Sequence, residues 1–339
     1  MKNHVLVLGF GIASTAYVSV LDFNNVKTSV VGSPFDKINI KNVKKKRKKK
    51  IFNINFSKNI NFFYNYELGS IDTKSINLII IGTNTNGIPW ITKILNKIKR
   101  NCPILLITKG IINYKNKIVP ISKYISKKCS NNKVVMASGP CLAKELINKS
   151  HTRTLFASKD MANAQYIKKI IENKYYHPEV TRDIDGAEIC SAIKNIYATV
   201  IGSSHGQVGI LSKKKNDNYF NTSSGLFEQS LKEMKYIVQK FGGNIETAYG
   251  LAGAGDLYVS ILGGRNAKLG FYLGKGFLYK SIVRKQMKNI TVEGAELIKS
   301  SGAKILSLVG QKKLPLLKSL IKAIRGNEKL KIDWKQFTF

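Results

Sequence analysis

The chain has 339 residues and a mass of 37.8 kDa, more than one hydrophobic core usually supports, so we expect two domains rather than a small disulfide-stapled scaffold. An apolar fraction of 43% is ordinary, whereas a formal net charge of +36 would normally indicate an anionic partner. Of the 56 basic residues, however, 49 are Lys and 7 are Arg, and Arg is the better bidentate ligand of phosphate. We therefore interpret most of the charge as compositional bias at tolerant surface positions.

The first half of the chain alternates short apolar runs with helical patterns. The runs predict buried parallel strands at residues 4–8, 26–31, 78–81, 104–107 and 134–137. Alternation of this kind is typical of βαβ units. The basic run 41–50 and the Asn- and Phe-rich stretch that follows it to Tyr66 favour a solvated, mobile surface excursion over a patch for nucleic acid or anionic lipid.

The strand pattern disappears beyond about Asp183, and helical patterns replace it. They cover residues 187–202, 223–241, 267–274, 294–301 and 315–325. The second half therefore predicts a helical domain.

The first predicted strand runs into GFGIAS, in which Gly9, Gly11 and Ser14 precede a helix-compatible run. The first Gly allows a tight turn, the second lets backbone approach a pyrophosphate, and the small third residue lets the helix pack on the strand. Phosphates then bind at the helix N-terminus, where free amides and the helix dipole favour negative charge. In this context the loop predicts a dinucleotide site.

The end of the second predicted strand does not choose between NAD and NADP. An acid there would bind ribose hydroxyls and an Arg would meet a 2′-phosphate, but the chain has Gly32, Ser33 and Pro34. Lys37 or Lys41 could meet a phosphate, so the cofactor choice stays open.

Residues 187–202 form a helical pattern with only two charged residues, Glu188 and Lys194, although 22% of the chain is charged. Asp185 with Glu188 resembles a capping box and predicts where this helix begins. We expect Lys194 to be buried, and a buried ammonium needs a partner and has a lowered pKa. We interpret it as a functional acid or base; the alternative is a Lys that extends to a surface carboxylate.

Residues 250–266 (GLAGAGDLYVSILGGRN) are dense in glycine, which indicates tight turns and close backbone approach. Asp256 is the acidic residue of this run. Two glycines precede Arg265 and Asn266 at the start of a predicted helix. A bidentate donor, an amide and free backbone amides together favour a phosphate site, while a capped helix with a surface Arg is the alternative.

Two shorter segments fit the same function. The fourth predicted strand ends in Thr108, Lys109 and Gly110, and open α/β sheets bind ligands at the carboxyl ends of their strands. The segment SGPCLAKEL, residues 138–146, follows the fifth strand with a small-residue turn into a helix. Neither segment is specific alone.

Together these segments resemble the NAD(P)-dependent glycerol-3-phosphate dehydrogenase family. The match follows the family's order through GFGIAST, LLITKGI, ASGPCLAKEL, EICSAIKNIYA, GLAGAGDL, GGRNAKLG, LGKG and TVEGAE. The resemblance implies an α/β fold class, with an N-terminal Rossmann-like doubly wound parallel sheet in residues 1–182 followed by an all-helical C-terminal domain in residues 183–339. It also implies reversible reduction of dihydroxyacetone phosphate to sn-glycerol 3-phosphate with NAD or NADP, which feeds glycerophospholipid synthesis.

The family's residue roles carry over motif by motif. Lys194 would be the catalytic acid or base, supported by Asp256, and the phosphate would lie on Arg265 and Asn266. The implied substrate contacts are Lys109, Gly139, Cys141, Lys194, Asp256, Arg265 and Asn266. The implied cofactor contacts are Gly9, Gly11, Ile12, Ala13, Ser14, Lys109, Ala143, Arg265, Thr291 and Glu293.

The chain departs from the family at several positions. Ile12 and Ala13 stand where bacterial relatives commonly carry Ser and an aromatic residue, Ser33 stands where many have Arg, and Cys141 replaces a hydroxyl residue. The GGRN form is shorter than the common bacterial SRN form. The basic residues 213–218 fall where we expect a surface loop.

Two other functions stay open from the residues. A related two-domain hydroxy acid or sugar dehydrogenase would share the helix Lys without needing Arg265 and Asn266. A basic nucleic-acid binder with a vestigial dinucleotide fold would need a concentrated basic face that carries Arg or aromatic residues, and strongly salt-dependent binding. The small-molecule dehydrogenase is the interpretation we prefer, with no specific nucleic acid as partner.

Cysteine usage and the first residues predict the compartment. Four scattered Cys without C-x-x-C spacing indicate a reducing environment, and the start MKNHVLVLGFG leaves no room for a signal peptide. Scattered His and Cys do not support a metal site, and no apolar run has the length of a membrane span. We expect a cytoplasmic enzyme, with a homodimer as a family-level expectation.

Overall fold

The computed structural model describes residues 3–115, 117–130, 133–207 and 220–337. The chain divides into two compact units. The N-terminal unit comprises Met1–Ile112 with Val119–Glu188, and the C-terminal unit comprises Asn113–Ile118 with Ile189–Phe339. The expected surface loop at residues 213–218 lies outside the described residues.

The strands are β1 (His4–Leu8), β2 (Lys27–Val31), β3 (Lys48–Lys49), β4 (Ile54–Asn55), β5 (Ile60–Phe63), β6 (Leu78–Ile81), β7 (Ile104–Leu106), β8 (Ile111–Tyr114), β9 (Lys117–Pro120), β10 (Val134–Ser138), β11 (Thr152–Ala157) and β12 (Tyr176–Thr181). Within the described residues, eight of them form one sheet in the order β12-β11-β10-β7-β6-β1-β2-β5. All neighbours are parallel except β10 and β11. The order β5-β2-β1-β6-β7-β10 is that of a doubly wound dinucleotide-binding sheet, as predicted.

The helices of the N-terminal unit alternate with the strands of this sheet along the chain. They are α1 (Ile12–Phe23), α2 (Lys37–Lys46), α3 (Ile88–Ile98), α4 (Ile121–Cys129), α5 (Ala143–Ile147) and α6 (Met161–Ile171). Helix α7 (Ile184–Gly206) begins in this unit and continues into the next.

The C-terminal unit is helical, as predicted, and residues 189–207 and 220–337 contain no strand. Its further helices are α8 (Phe220–Lys240), α9 (Glu246–Tyr249), α10 (Asp256–Ile261), α11 (Arg265–Gly274), α12 (Tyr279–Lys285), α13 (Glu293–Leu297), α14 (Ala303–Val309) and α15 (Pro315–Arg325). π-Helical turns at Leu251–Gly255 and Ile298–Gly302 precede α10 and α14. No described helix is both long enough and apolar enough to cross a membrane.

The five predicted strands are confirmed, with ends within one residue of the expected bounds. They form parallel strands because continuous apolar runs can be buried on both faces, and β1, β6, β7 and β10 are buried throughout. Strands β5, β11 and β12 were not predicted, because their apolar residues alternate with polar ones or with Pro.

The predicted surface excursion after residue 40 is only partly right. Most of its lysines are exposed, but Lys49 is buried. Helix α2 turns Ile40 and Val43 inward, and β5 joins the main sheet with Ile60 and Phe62 buried. The apolar periodicity of this stretch was obscured by the Lys and Asn residues between its buried positions.

The start of α7 differs from the predicted capping box. The cap is Asp183, whose Oδ1 accepts a hydrogen bond from the Gly186 amide at 3.0 Å, and not Asp185. Glu188 is instead buried and accepts hydrogen bonds from the amide (3.0 Å) and the hydroxyl of Ser122, at the N-terminus of α4. A tertiary contact has therefore replaced the local one, and burial raises the pKa of Glu188 to about 7.

Glycines bring α7 and α11 into backbone contact within the C-terminal unit. A Cβ on Gly202 of α7 would lie 2.5 Å from the carbonyl oxygen of Ala267 on α11. A Cβ on Gly270 of α11 would overlap the carbonyl group of Thr199 on α7. Only Gly permits this distance, so the two helices hold a fixed spacing.

Candidate active site

The N-terminal unit carries the glycine loop between β1 and α1. Gly9 has φ +94°, and a Cβ there would lie 2.9 Å from Thr83 Cγ2 and 3.0 Å from Gly82 O, so glycine is required. Ser14 is buried and its hydroxyl donates to Gly82 O at 2.8 Å, which packs α1 against the loop after β6. By contrast, a Cβ on Gly11 would meet nothing closer than Gly82 O at 4.0 Å, so this side of the loop is open.

The N-terminus of α1 provides the donors that a pyrophosphate needs. Gly11 is its N-cap and no side chain caps it, and no acidic residue lies in its first turn. Ile12 and Ala13 are exposed. Amides at such a helix start have no partner within the helix and bind anions. The open loop and these donors fit a dinucleotide.

A pocket lies beside this helix start in the N-terminal unit. It is lined by Ala13, Ala16, Tyr17, Ile107, Lys109, Ala137, Ser138, Gly139, Cys141 and Ala143. Lys109 Nζ donates to Gly139 O at 3.2 Å, and Gly139 has φ +93°. The loops after β1, β7 and β10 therefore bring together four predicted site residues around an ammonium group, at the carboxyl ends of parallel strands.

The C-terminal unit holds a buried ion pair on α7 and α10. Lys194 is 8% exposed and its ammonium contacts the carboxylate of Asp256, which is 1% exposed. The π-helical turn Leu251–Gly255 delivers Asp256 to the first position of α10. A Cβ on Gly253 in this turn would overlap the backbone of Ala248, which explains the glycine density of the segment. An ammonium in an otherwise uncharged stretch of helix is thus held by one carboxylate.

Arg265 and Asn266, the residues predicted to bind phosphate, lie at the start of α11. Its N-cap is Gly264 with φ +114° and no side-chain cap, and a Cβ there would meet nothing within 4 Å. Arg265 is 54% exposed at its side chain and pairs with Glu293. Asn266 is buried, and its Oδ1 accepts from the Gly294 amide at 2.9 Å. With Oδ1 bound to Gly294, the Nδ2 group of Asn266 is the part of this amide that can donate to a ligand.

The first two residues of α13 orient both side chains of that pair. Glu293 holds Arg265, and the next residue, Gly294, holds Asn266. Sequence reasoning placed Glu293 near the cofactor and missed Gly294 altogether. The Glu-Gly pair in TVEGAE was the only sequence signal for these contacts. One sequence alone does not show that Glu293 and Gly294 contact residues 28 positions earlier.

The predicted residues fall into two sets, one in each unit. The N-terminal unit contains Gly9, Gly11, Ile12, Ala13 and Ser14 in the loop and Lys109, Gly139, Cys141 and Ala143 around the pocket. The C-terminal unit contains Lys194 with Asp256, and Arg265 and Asn266 with Glu293. Thr291 is exposed two residues before α13.

Cysteines and possible metal ligands do not cluster at these positions. Cys102, Cys129, Cys141 and Cys190 form no disulfide bond with one another. Among the described residues, no three His, Cys, Asp or Glu side chains are grouped so that they could hold a metal ion.

Comparison with known proteins adds the family. The sequence matches the N-terminal domain of NAD-dependent glycerol-3-phosphate dehydrogenase over residues 4–164 and the C-terminal domain of the same family over residues 183–333. It is 31% identical over 275 residues to an NADP(+)-dependent glycerol-3-phosphate dehydrogenase of Archaeoglobus fulgidus, covering 80% of each chain. It is 28% identical over 300 residues to a glycerol-3-phosphate dehydrogenase [NAD(P)+] of Clostridium botulinum, covering 88% of this chain and 86% of the other.

Solved structures show the same fold. A glycerol-3-phosphate dehydrogenase from Plasmodium falciparum superposes with a TM-score of 0.85 at 20% identity, covering 100% of this chain and 96% of that one. The enzyme from Coxiella burnetii gives 0.81 at 23% identity, with 97% and 96% covered. With both family domains matched in order along the sequence, the chain belongs to the NAD-dependent glycerol-3-phosphate dehydrogenase family.

Proposed function

We propose that this chain catalyses the reversible reduction of dihydroxyacetone phosphate to sn-glycerol 3-phosphate, with NADH or NADPH as reductant. The family supports the reaction, and the open glycine loop supports the dinucleotide. The observation that carries the proposal is the buried Lys194–Asp256 pair in the unit that also presents Arg265 and Asn266. An acid–base group and a phosphate-binding pair are the two elements that this substrate requires.

Lys194 is assigned to proton transfer. The reduced nicotinamide, when bound, supplies a hydride to the carbonyl carbon C2 of the substrate. Negative charge then develops on the carbonyl oxygen, where the Lys194 ammonium stabilises it and gives up a proton. In the reverse direction the neutral amine accepts the hydroxyl proton. Asp256 keeps the Nζ group in place through the ion pair.

Arg265 and Asn266 are assigned to the substrate phosphate. A guanidinium and an amide at an uncapped helix start offer charge-assisted and neutral hydrogen bonds to a dianion. Binding energy from this remote group orients the ketone for reaction, so its loss lowers turnover as well as affinity. The pairing with Glu293 restrains the Arg265 side chain before the phosphate arrives.

The N-terminal unit is assigned to the cofactor. The amides of Gly11, Ile12 and Ala13 would hold the pyrophosphate at the start of α1. Lys109 places a positive charge beside the pocket, where Gly139 and Cys141 would contact substrate and Ala143 the cofactor. Thr291 and Glu293 remain assigned to the neighbourhood of the cofactor.

A substrate comparison tests the reaction. Oxidation of NADH and of NADPH would be followed with dihydroxyacetone phosphate, unphosphorylated dihydroxyacetone and a 2-keto acid. We expect turnover with dihydroxyacetone phosphate and kcat/KM lower by at least about a hundredfold for the two others, because neither offers a phosphate to Arg265. Comparable or faster turnover of the 2-keto acid would favour the related hydroxy acid dehydrogenase instead.

We also infer a cytoplasmic location, a homodimer and the absence of a specific nucleic-acid partner. Four cysteines that are not joined in disulfides support a reducing compartment. Cell fractionation tests the location, and light scattering on the purified chain tests the dimer. Tight oligonucleotide binding at physiological salt would contradict the last inference.

A further inference from the structure

We propose that Lys49 is a positioning residue of the dinucleotide site. It holds the carbonyl oxygen of Phe10, the residue between the two glycines of the loop, and thereby directs the amide of Gly11 toward the pyrophosphate. The inference rests on the cofactor role proposed above for this loop. Within residues 41–50, Lys49 is the buried lysine and the other lysines are exposed.

Two contacts tie Lys49 to Phe10. Its Nζ donates to Phe10 O at 2.9 Å and lies 3.8 Å from the centroid of the Phe10 ring, within range of a cation–π interaction. Lys49 is only 8% exposed, and Phe10 is fully buried, with its ring centroid 5.2 Å from that of Phe62. The Lys49 ammonium therefore binds both the carbonyl oxygen and the ring of Phe10 on the buried side of the loop.

Asp36 fixes the other side of the same residue. Its Oδ2 accepts from the Phe10 amide at 3.1 Å, from the Ser33 amide at 2.9 Å and from the Ser33 hydroxyl at 2.6 Å. The N–H and the C=O of Phe10 are thus both bound by side chains of opposite charge. Both side chains lie after β2, and Lys49 belongs to the segment 41–50 that the charge pattern assigned to a surface excursion.

The geometry of the peptide bond between Phe10 and Gly11 links the position of the Phe10 carbonyl to the direction of the Gly11 amide. The C=O of Phe10 and the N–H of Gly11 belong to one planar trans peptide, so they point in opposite directions. With the carbonyl held by Lys49 inside the protein, the Gly11 amide faces away from Lys49. The Cα of Gly11 also borders open space, since a Cβ there would find its nearest neighbour at 4.0 Å. A cation on the carbonyl polarises the peptide and strengthens the amide as a donor.

The charge state of Lys49 agrees with this geometry. Burial lowers the pKa of Lys49 to about 8, and the carboxylate of Asp36 opposes that shift. The ammonium form therefore predominates at pH 7. Burying an ammonium is costly, and the carbonyl, the ring and the carboxylate together offset the lost hydration.

Direct binding of cofactor tests the role with three substitutions. Lys49→Met keeps the length of the side chain and removes the donor, Lys49→Arg keeps a charged donor, and Lys48→Met makes the same charge change at an exposed neighbour. NADH and NADPH are titrated at pH 7 by their fluorescence, and the thermal midpoint of each variant is recorded. Hydrogen bonds that involve a charged group contribute more free energy than neutral ones. We therefore predict that Lys49→Met raises the Kd of both cofactors about tenfold.

The controls separate positioning from general stability and from bulk charge. We expect Lys48→Met to change Kd less than about twofold and Lys49→Arg to restore most of the affinity. With Lys49→Met, KM for NADH should rise while kcat at saturating NADH stays within about twofold, because the proton donor is untouched. If Lys49→Met does not fold, Lys49→Gln, which keeps a neutral donor, should still raise Kd severalfold.

The outcomes are distinguishable. A Kd for the Lys49→Met or Lys49→Gln variant within about twofold of wild type would overturn the positioning role, as would an equal loss in Lys48→Met. Absence of NADH and NADPH binding by the wild-type chain would instead count against the proposed function itself.

Discussion

The backbone amide of Gly294 donates a hydrogen bond to the side-chain oxygen of Asn266 at 2.9 Å. The bond fixes which end of the Asn266 amide remains for a ligand. Glycine is needed at 294, because a Cβ there would lie 2.5 Å from Asn195 O and 2.9 Å from Asn266 Oδ1. Asn266, the neighbour of the Arg265 that we propose binds phosphate, is thus oriented by a residue 28 positions further along the chain.

Asn266→Asp tests this orientation with almost no change in shape. The carboxylate can still accept from Gly294, but it places a negative charge where we expect a phosphate dianion. KM for dihydroxyacetone phosphate should rise by about a hundredfold or more, since like charges at close range cost several kcal/mol. Steady-state kinetics measure it, and an unchanged Kd for NADH is the control. A KM within about fivefold of wild type would refute the phosphate assignment.

Arg265→Ala tests the guanidinium. We expect kcat/KM for dihydroxyacetone phosphate to fall about a hundredfold, because a charge-assisted bidentate contact is lost. The weak turnover of unphosphorylated dihydroxyacetone should not change, which separates a phosphate contact from general damage. Glu293→Gln should cost only a few-fold, because the pair is half exposed. Equal kcat/KM for wild type and Arg265→Ala would exclude the role.

Gly270→Ala tests the spacing of α7 and α11. The added methyl would overlap the Thr199 carbonyl, so the helices must separate or strain. Overpacking of this kind costs about 1–3 kcal/mol, and the thermal midpoint should fall by about 3–10 °C. Gly263→Ala is the matched control, since a Cβ there would meet nothing within 4 Å. Identical melting of the two variants would contradict the packing argument.

A buried carboxyl in the C-terminal unit predicts a pH-dependent stability. Glu233 of α8 is fully buried and accepts from the amides of Leu316 (2.6 Å) and Leu317 (3.1 Å) at the start of α15. Burial raises its pKa to about 8 from an ordinary value of 4.5. The folded state therefore retains a proton that the unfolded state releases between these values. The stability from the neutral form is complete below about pH 4.5 and is lost as pH rises through 8.

Glu233→Gln removes this titration and keeps one oxygen that can accept from one of the two amides. From pH 5 to pH 8.5, wild type should lose several degrees of thermal midpoint relative to the variant. Glu228→Gln, on the exposed side of the same helix, should follow wild type. Parallel pH curves for wild type and Glu233→Gln would show that the carboxyl does not titrate in this range.

The parts of the fold that follow from local pattern were predictable. The continuous apolar runs of β1, β6, β7 and β10 fixed a buried parallel sheet, and the near absence of charge in α7 indicated that Lys194 is buried. Glycine density around Asp256 likewise indicated close backbone contact. Each of these signals lies within about twenty consecutive residues.

The parts that depend on distant partners were not predictable. Glu188 looked like half of a local capping box, but its partner is Ser122 on another helix. Lys49 looked like one surface Lys in a basic run, but it is buried and its ammonium binds the carbonyl oxygen of Phe10. Strand β5 pairs with β2. The Lys and Asn residues in and around β5 made its apolar positions hard to recognise in the sequence. Composition alone misjudged these positions because burial depends on tertiary neighbours.

We propose that the ammonium of Lys194, held by Asp256, transfers the proton in the reduction of dihydroxyacetone phosphate. Its most direct test is the turnover of dihydroxyacetone phosphate by Lys194→Met with saturating NADH, alongside the Kd for NADH. We predict a kcat lower by about a thousandfold with Kd unchanged within about twofold, because the acid is lost and the cofactor site is not. A variant that retains more than about a tenth of wild-type kcat would contradict the account.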